Sequence, residues 1–254
     1  MCLVVLHWDP EAPLALVLVA NRDEFRQRPT EPMHWWQDQQ VPMLAGKDLK
    51  AGGTWFAMDR AGRFALITNI RPGYVGKSAP LSRGELPTRF IQSGANIDSF
   101  HKGLLPQIDQ YGGFNLILGD AERLFWFSSD NPEGKELEPG IQVLSNDSLN
   151  TPWPKVELAR AQMEQELGTF QLGEISEKVL GSTERFADEL LPKTGVPMAW
   201  ESMLSAQTII GEEYGTRSRS WLRISRAGGV KLTEAQVSET GALHSQRHFT
   251  WQAS

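Results

Sequence analysis

Met1-Cys-Leu-Val-Val-Leu-His-Trp8, a turn at Asp9-Pro10, and Leu14-Ala-Leu-Val-Leu-Val-Ala20 running into Asn21-Arg-Asp-Glu24 open the chain. Two apolar runs of strand length joined by a proline-containing turn predict a hairpin at the centre of a buried sheet. The only cysteine of the protein is at position 2. The small side chain after Met1 predicts that the initiator methionine is trimmed, which makes Cys2 the first residue. A free α-amine titrates near ~7.7–8.0 and a thiol near ~8.5, so an N-terminal cysteine is a nucleophile with its own proton acceptor attached. The second strand returns Asn21, Arg22 and Asp23 towards the same end of the sheet. Chemistry alone leaves two readings of Cys2: a nucleophile, or a small buried residue at a strand start.

Outward from the hairpin, residues 25–46 read as a long irregular segment, because Pro29, Pro32 and Pro42 break any period. Its His34-Trp35-Trp36 predicts either a ligand mouth or a pin holding the loop on the sheet. Thr54 to Met58 and Arg63 to Thr68 predict a second hairpin, closed at Asn69-Ile-Arg71-Pro72. Asn69 reads as a turn asparagine or as an amide aimed at a developing oxyanion. Ser82-Arg-Gly-Glu85 has the spacing of a capping box and predicts a helix ending near Gly94. Asn96 to Gln107 predicts another. Strands are expected at Phe114–Leu118, Leu124–Ser128 and Ile141–Ser145, with tight turns at Gly119–Glu122 and Asn131–Gly134. Val156, Ala159, Met163 and Leu167 give 153–168 one apolar helical face. A helix at Glu184–Leu191 and strands at 208–211, 216–225 and 230–238 complete the reading. Strands first, helices in the middle and strands last exclude regular βαβ repetition. The expectation is an α+β fold, two stacked antiparallel sheets with helices outside, formed by one domain over 1–254.

Met-Cys-Leu at the start, Asn21-Arg-Asp-Glu24 and Asp48-Leu-Lys-Ala-Gly-Gly-Thr-Trp55 resemble the NRDE family, whose eukaryotic members are called transport and Golgi organisation protein 2. Leu66-Ile-Thr-Asn-Ile-Arg71, Ser82-Arg-Gly84, Gly113-Phe-Asn-Leu116, Leu144-Ser-Asn-Asp147 and Tyr214-Gly-Thr-Arg-Ser218 extend the resemblance to about residue 220. More distantly the pattern is similar to N-terminal-nucleophile hydrolases of the choloylglycine hydrolase and penicillin V acylase type. That resemblance implies a four-layer αββα sandwich and an acyl-transfer site at Cys2, Arg22, Asp23, Asn69 and Asn146. Those hydrolases separate the arginine from the aspartate, whereas Arg22 and Asp23 are adjacent. Neighbouring strand residues face opposite sides of a sheet.

Two functions follow. In one, Cys2 attacks an amide, ester or thioester of a small acyl substrate, with its amine shuttling the proton. Asp23 orients that amine, Asn69 and Asn146 hold the oxyanion, and Arg22 binds a carboxylate or phosphate. If the amine and Arg22 stabilise the thiolate, Cys2 outpaces a free thiol towards iodoacetamide at pH 7. Hydrolysis of this kind requires no cofactor. In the other, the same fold is a non-catalytic carrier of haem or acyl-CoA, the ligands to which proteins of this resemblance are linked. Asn21, Glu24, Trp35, Trp36, Arg71 and Arg217 are the expected ligand-binding residues.

Composition bounds the partners. The 254 residues are 40% hydrophobic and 22% charged, an ordinary globular balance. A net charge of −6 and a pI near 5.5 argue against nucleic acid or anionic membrane as the main partner. One cysteine forms neither an intrachain disulfide nor a thiolate metal cage, and the five histidines pair at helical spacing only as His244/His248, in a polar segment. No metal is expected. No run approaches the ~20 apolar residues of a spanning helix, and the apolar start is short and lacks a basic flank. The expectation is a cytoplasmic protein taking a small-molecule acyl or haem-like ligand; no oligomeric state is implied.

Overall fold

The computed structural model describes residues 2–73, 78–120, 122–169 and 176–253. Met1, and with it the expected trimming, lies outside the described residues, as does Ala121 of the expected turn at Gly119–Glu122. The elements are β1 (Cys2–Trp8), β2 (Leu14–Phe25), β3 (Thr30–Trp36), β4 (Met43–Asp48), β5 (Phe56–Asp59) and β6 (Phe64–Asn69). There follow α1 (Glu85–Ser93), α2 (Ile97–Leu104), β7 (Phe114–Gly119), β8 (Leu124–Ser128), β9 (Lys135–Glu136), β10 (Gly140–Leu144) and α3 (Pro154–Thr169). The chain closes with α4 (Met198–Ser205), β11 (Tyr214–Ser225), β12 (Gly229–Val237) and β13 (Leu243–Gln252).

Two antiparallel sheets result, one ordered β10-β1-β2-β11-β12-β13 and the other β3-β4-β5-β6-β7-β8-β9. The opening hairpin lies inside the first sheet because it is apolar on both faces. Val4, Leu6, Leu16 and Leu18 point into the space between the sheets, against Phe56, Phe64, Leu66 and Ile117 of the second. Leu3, Val5, Val17 and Val19 point outward and are covered by α3 through Val156, Ala159 and Met163. On the far side Leu86, Phe90 and Ile91 of α1, with Ile97, Phe100 and Leu104 of α2, cover the outer face of the second sheet. This is the four-layer αββα sandwich, α+β in class. Among the described residues no helix is long and apolar enough to cross a membrane.

Several expectations change. Residues 25–46 are not irregular but hold β3 and β4. The prolines are compatible because β3 is an edge strand, Pro32 falls in its bulge between Glu31 and His34, and Pro29 and Pro42 precede the strands. The capping box does not form: the α1 N-cap is Gly84 with no side-chain bond, and Glu85 accepts from Tyr111 instead. Pro87 is accommodated in the first turn of α1, where no helical N–H is needed. The helix expected at Glu184–Leu191 shrinks to a 3-10 turn at Asp188–Leu190. The N–H groups of Glu184 and Phe186 are taken by the hydroxyls of Ser182 and Ser205, so that stretch has no helical ladder. Thr208–Gly211 joins neither sheet. The polar C-terminal segment is instead β13, an edge strand paired along β12, whose exposed faces hide the alternation a sequence reading needs.

Candidate functional site

β1 and β2 pair so that Cys2 lies opposite Arg22, and β2 pairs with β11 so that Arg22 lies opposite Ser218 and Asp23 opposite Thr216. Arg217 is the extra residue of a bulge between those two pairs. Arg22 and Asp23 do face opposite sides of the sheet. Arg22 points between the sheets, with its guanidinium 4.1 Å from the centre of the Trp55 ring. Asp23 points outward, where its carboxylate accepts from Thr216 Oγ1 at 2.6 Å. Both still line one cavity, because it sits at the end of the sheet rather than on a face.

That cavity encloses about 570 Å3. Its walls carry Cys2, four arginines (Arg22, Arg28, Arg71, Arg83) and three carboxylates (Asp23, Glu24, Asp48), with Asn69 at the end of β6. An apolar side is formed by Ile67, Ile70, Val196, Trp200, Leu204 and Tyr214. Phe25, Trp200 and Tyr214 pack edge-on or tilted at ring separations of 5.1–6.4 Å around its mouth.

The glycine-rich loop is what brings the arginines in. Asp48 Oδ1 accepts from the backbone of Lys50 and Ala51, folding the loop back on itself. Its other oxygen takes Arg28 at 2.6 and 2.9 Å. Partial burial alone would raise the Asp48 pKa, but Arg28 holds it below the ordinary carboxylate value. Gly53 then meets the loop at Ser82–Gly84 so closely that a Cβ there would stand 2.3 Å from the Gly84 carbonyl oxygen. Only glycine allows that approach, and it carries Arg83 to the cavity, where Nη1 donates to the Gly113 carbonyl at 2.9 Å. Gly46 does the same for Trp55, whose ring lies where a Cβ would be.

Two buried guanidiniums have donors to spare. Arg22 is 6% exposed and Arg71 is 5% exposed. Arg22 reaches Glu24 at 3.9 Å, yet its Nη1 has no hydrogen-bond partner among the described residues. Arg71 faces Glu201 at 3.4 Å, while its Nε and Nη1 are likewise unpartnered. Buried N–H groups without acceptors are costly, and charged donors make their strongest bonds to anionic acceptors. Arg22→Lys keeps the charge but loses the planar fork. It is expected to weaken binding of an anionic ligand by about 1–3 kcal/mol, measured by calorimetry; unchanged affinity would make Arg22 structural.

The electrostatics of Cys2 differ from the sequence expectation. Burial pushes the thiol above its ordinary pKa and the Asp23 charge adds to this, against the positive N-terminus, Arg22 and the Asp23 backbone N–H. Burial likewise raises Asp23, against the positive N-terminus, Lys155, Thr216 and Arg22. Lys155 is buried behind Asp23, with Nζ donating to the Leu204 carbonyl at 2.9 Å; burial and the Arg71 charge push it down to about 8.

Of the residues singled out from sequence, Cys2, Arg22, Asp23, Glu24, Asn69 and Arg71 meet at the cavity. Asn146 does not line it. Its Nδ2 donates to the Asn69 carbonyl at 2.9 Å and its own carbonyl accepts from Arg71 N, so it holds the two loops that carry Asn69 and Arg71. Asn21 faces the other side of the sheet, donating to the Leu180 and Gln207 carbonyls and accepting from Arg219. Trp36 is buried against the second sheet with Nε1 on the Ala45 carbonyl. Trp35 meets Trp251 edge-on and lies under Arg60, pinning the C-terminal strand. Arg217 donates to the Phe25 and Arg28 carbonyls and is absent from the cavity wall. Arg28, Arg83, Lys155 and the aromatic mouth were missed. Arg83 stood in the quoted Ser-Arg-Gly block but read there as part of a helix cap. A second depression of about 590 Å3 lies beside Gln162, Glu177 and Arg219, but every Arg219 nitrogen is already bonded.

A family model described as Transport and Golgi organisation 2 matches residues 1–239. The human Transport and Golgi organization protein 2 homolog is 29% identical, over 96% of this chain and 96% of that protein. The bovine homolog is 30% identical, over 93% of each. Among solved structures, a mutant conjugated bile acid hydrolase from Clostridium perfringens superposes with a TM-score of 0.44 at 7% identity, over 100% of this chain and 98% of the other.

Proposed function

The chain belongs to the transport and Golgi organisation 2 family, and we propose that it is an N-terminal-cysteine acyl hydrolase for a small acyl substrate bearing an anionic group. The observation that carries this reading is the meeting of the single thiol with two buried arginines, Arg22 and Arg71, on the wall of one cavity. In the proposed reaction the Cys2 thiol passes its proton to the α-amine exposed by loss of Met1, and sulfur attacks the acyl carbon of an amide, ester or thioester. Asn69, at the strand end, donates to the oxyanion. Collapse expels the leaving group, which takes the proton back from the ammonium. Water then adds to the acyl-cysteine with the amine as base, releasing the acid. Asp23 orients the amine. Arg22 and Arg71 take the anionic end, while Trp200, Val196 and Leu204 take apolar parts.

Intact mass spectrometry of the protein expressed in cells tests the premise: the expected mass lacks Met1, and a mass with Met1 retained ends the mechanism. The pH profile of Cys2 alkylation by iodoacetamide tests the site. A thiol held up by burial is protonated at pH 7, so the rate is expected to be below that of a model thiol there. It should rise with pH through a midpoint above ~8.5. A midpoint below that would mean that the freed amine and Arg22 prevail over burial.

A second reading is favoured by the burial of that thiol: a carrier that binds haem or an acyl-CoA in the cavity without turnover. The mixed wall supports it, with arginines for carboxylates or phosphates on one side and the Phe25, Trp200 and Tyr214 rings for an apolar body on the other.

A further inference from the structure

Beyond the cavity wall, the inner face of the first sheet carries a polar row in an otherwise apolar interior. Ser218 of β11 lies between Arg22 of β2 and Gln236 of β12, and Ser220 in the next inward row lies opposite Glu234. Glu234 is wholly buried. Its Oε2 accepts from the Met33 backbone N–H of β3 at 2.7 Å and from Gln236 Nε2 at 3.1 Å, tying the two sheets together. Its Oε1 has no partner among the described residues, and neither has Ser218 Oγ nor Arg22 Nη1. Burial raises the Glu234 pKa, opposed by the Met33 N–H, the Ser218 hydroxyl and the charges of Arg22 and Arg247.

The three unsatisfied atoms are chemically complementary. A guanidinium nitrogen only donates, a carboxylate oxygen accepts, and a hydroxyl does both. We propose that Glu234 is a positioning residue for Arg22: Ser218 Oγ accepts from Arg22 Nη1 and donates to Glu234 Oε1, directly or through one bridging water. The chain of bonds fixes the guanidinium from behind while Trp55 holds its face. The fork is thereby kept aimed at the cavity instead of swinging to Glu24 at its rim. The inference rests on the reading that Arg22 receives an anionic group beside Cys2.

The test uses the full-length protein and two alkylating probes of Cys2, anionic iodoacetate and neutral iodoacetamide, whose rate ratio reports a correctly placed cation. Arg22→Gln is expected to lower the ratio. Ser218→Ala and Glu234→Gln should each lower it by at least about threefold, and neither should change it further once Arg22 is Gln. The sign is informative for Glu234→Gln, because deleting a buried negative charge by itself would raise the preference for iodoacetate. Thermal melts show which variants fold, and if Glu234→Gln does not, Ser218→Ala decides, since it alters no charge. A purely structural Glu234 would shift the melting temperature and leave the ratio alone. Unchanged ratios in Ser218→Ala and Glu234→Gln, or equal effects with and without Arg22, overturn the positioning role while leaving the acyl-hydrolase reading standing. An unchanged ratio in Arg22→Gln overturns both.

Discussion

Cys2→Ala and Cys2→Ser are expected to fold and to lose hydrolysis of a panel of acyl amides and thioesters by about 10^3-fold or more, the scale seen when a nucleophile is removed. Folding should survive because the side chain is small, sits at the first position of β1, and makes no bond on which the sheet depends. The serine variant is the sharper of the two. It keeps the volume and the hydrogen-bonding capacity, but its hydroxyl is a far weaker nucleophile at neutral pH. Binding of haem or of an acyl-CoA, followed by absorbance or calorimetry, should be little affected in either variant. Turnover by wild type that vanishes in both variants sustains the hydrolase. No turnover by wild type, together with unaltered ligand affinity in the variants, replaces it with the carrier.

Glu201→Leu is expected to cost about 3–5 kcal/mol, because it strands the buried Arg71 cation. Glu201 is 2% exposed and its Oε2 lies 3.4 Å from Arg71, while its other oxygen accepts from both the backbone and the hydroxyl of Thr194. Leucine satisfies none of these donors. For a chain of this size the melting temperature should fall on the order of 10 °C. Adding Arg71→Met should recover most of the loss, since replacing a whole buried ion pair by apolar groups is often neutral. A loss under ~1 kcal/mol in the single variant would mean that cavity solvent reaches Arg71 and screens it. The pair also ties α4 to the loop after β6, so the same measurement shows whether the apolar wall of the cavity is held by charge.

The site was legible wherever a residue's type announced its chemistry and its neighbours in sequence set its place. Cys2 opposite Arg22 follows from hairpin pairing alone, and Asn69 and Arg71 from the end of the second hairpin. The place of Asn146 was not legible, because an asparagine after a strand looks the same whether its amide faces a substrate or a loop carbonyl. The loop carbonyl is 2.9 Å away, on Asn69. For Trp35 and Trp36 the sequence left a ligand mouth and a pin open, and the three prolines hid the strand that carries them. On an edge strand prolines cost no ladder bonds, and the two rings are used in packing.

The sequence by itself determined the central hairpin, the two-sheet sandwich and the outer helix over 153–168, because apolar periodicity is a local property that burial must honour. It determined as well that one thiol, with an arginine and an aspartate, would stand at one end of the first sheet. Only the tertiary structure decided the rest. Arg83 reaches the cavity because Gly53 and Gly84 touch, and Arg71 rather than Arg217 faces it because a bulge turns Arg217 onto backbone carbonyls. The direction in which the Cys2 pKa moves depends on how many atoms crowd it and on the charges around it. That is a sum over residues distant in sequence, and no local pattern encodes it.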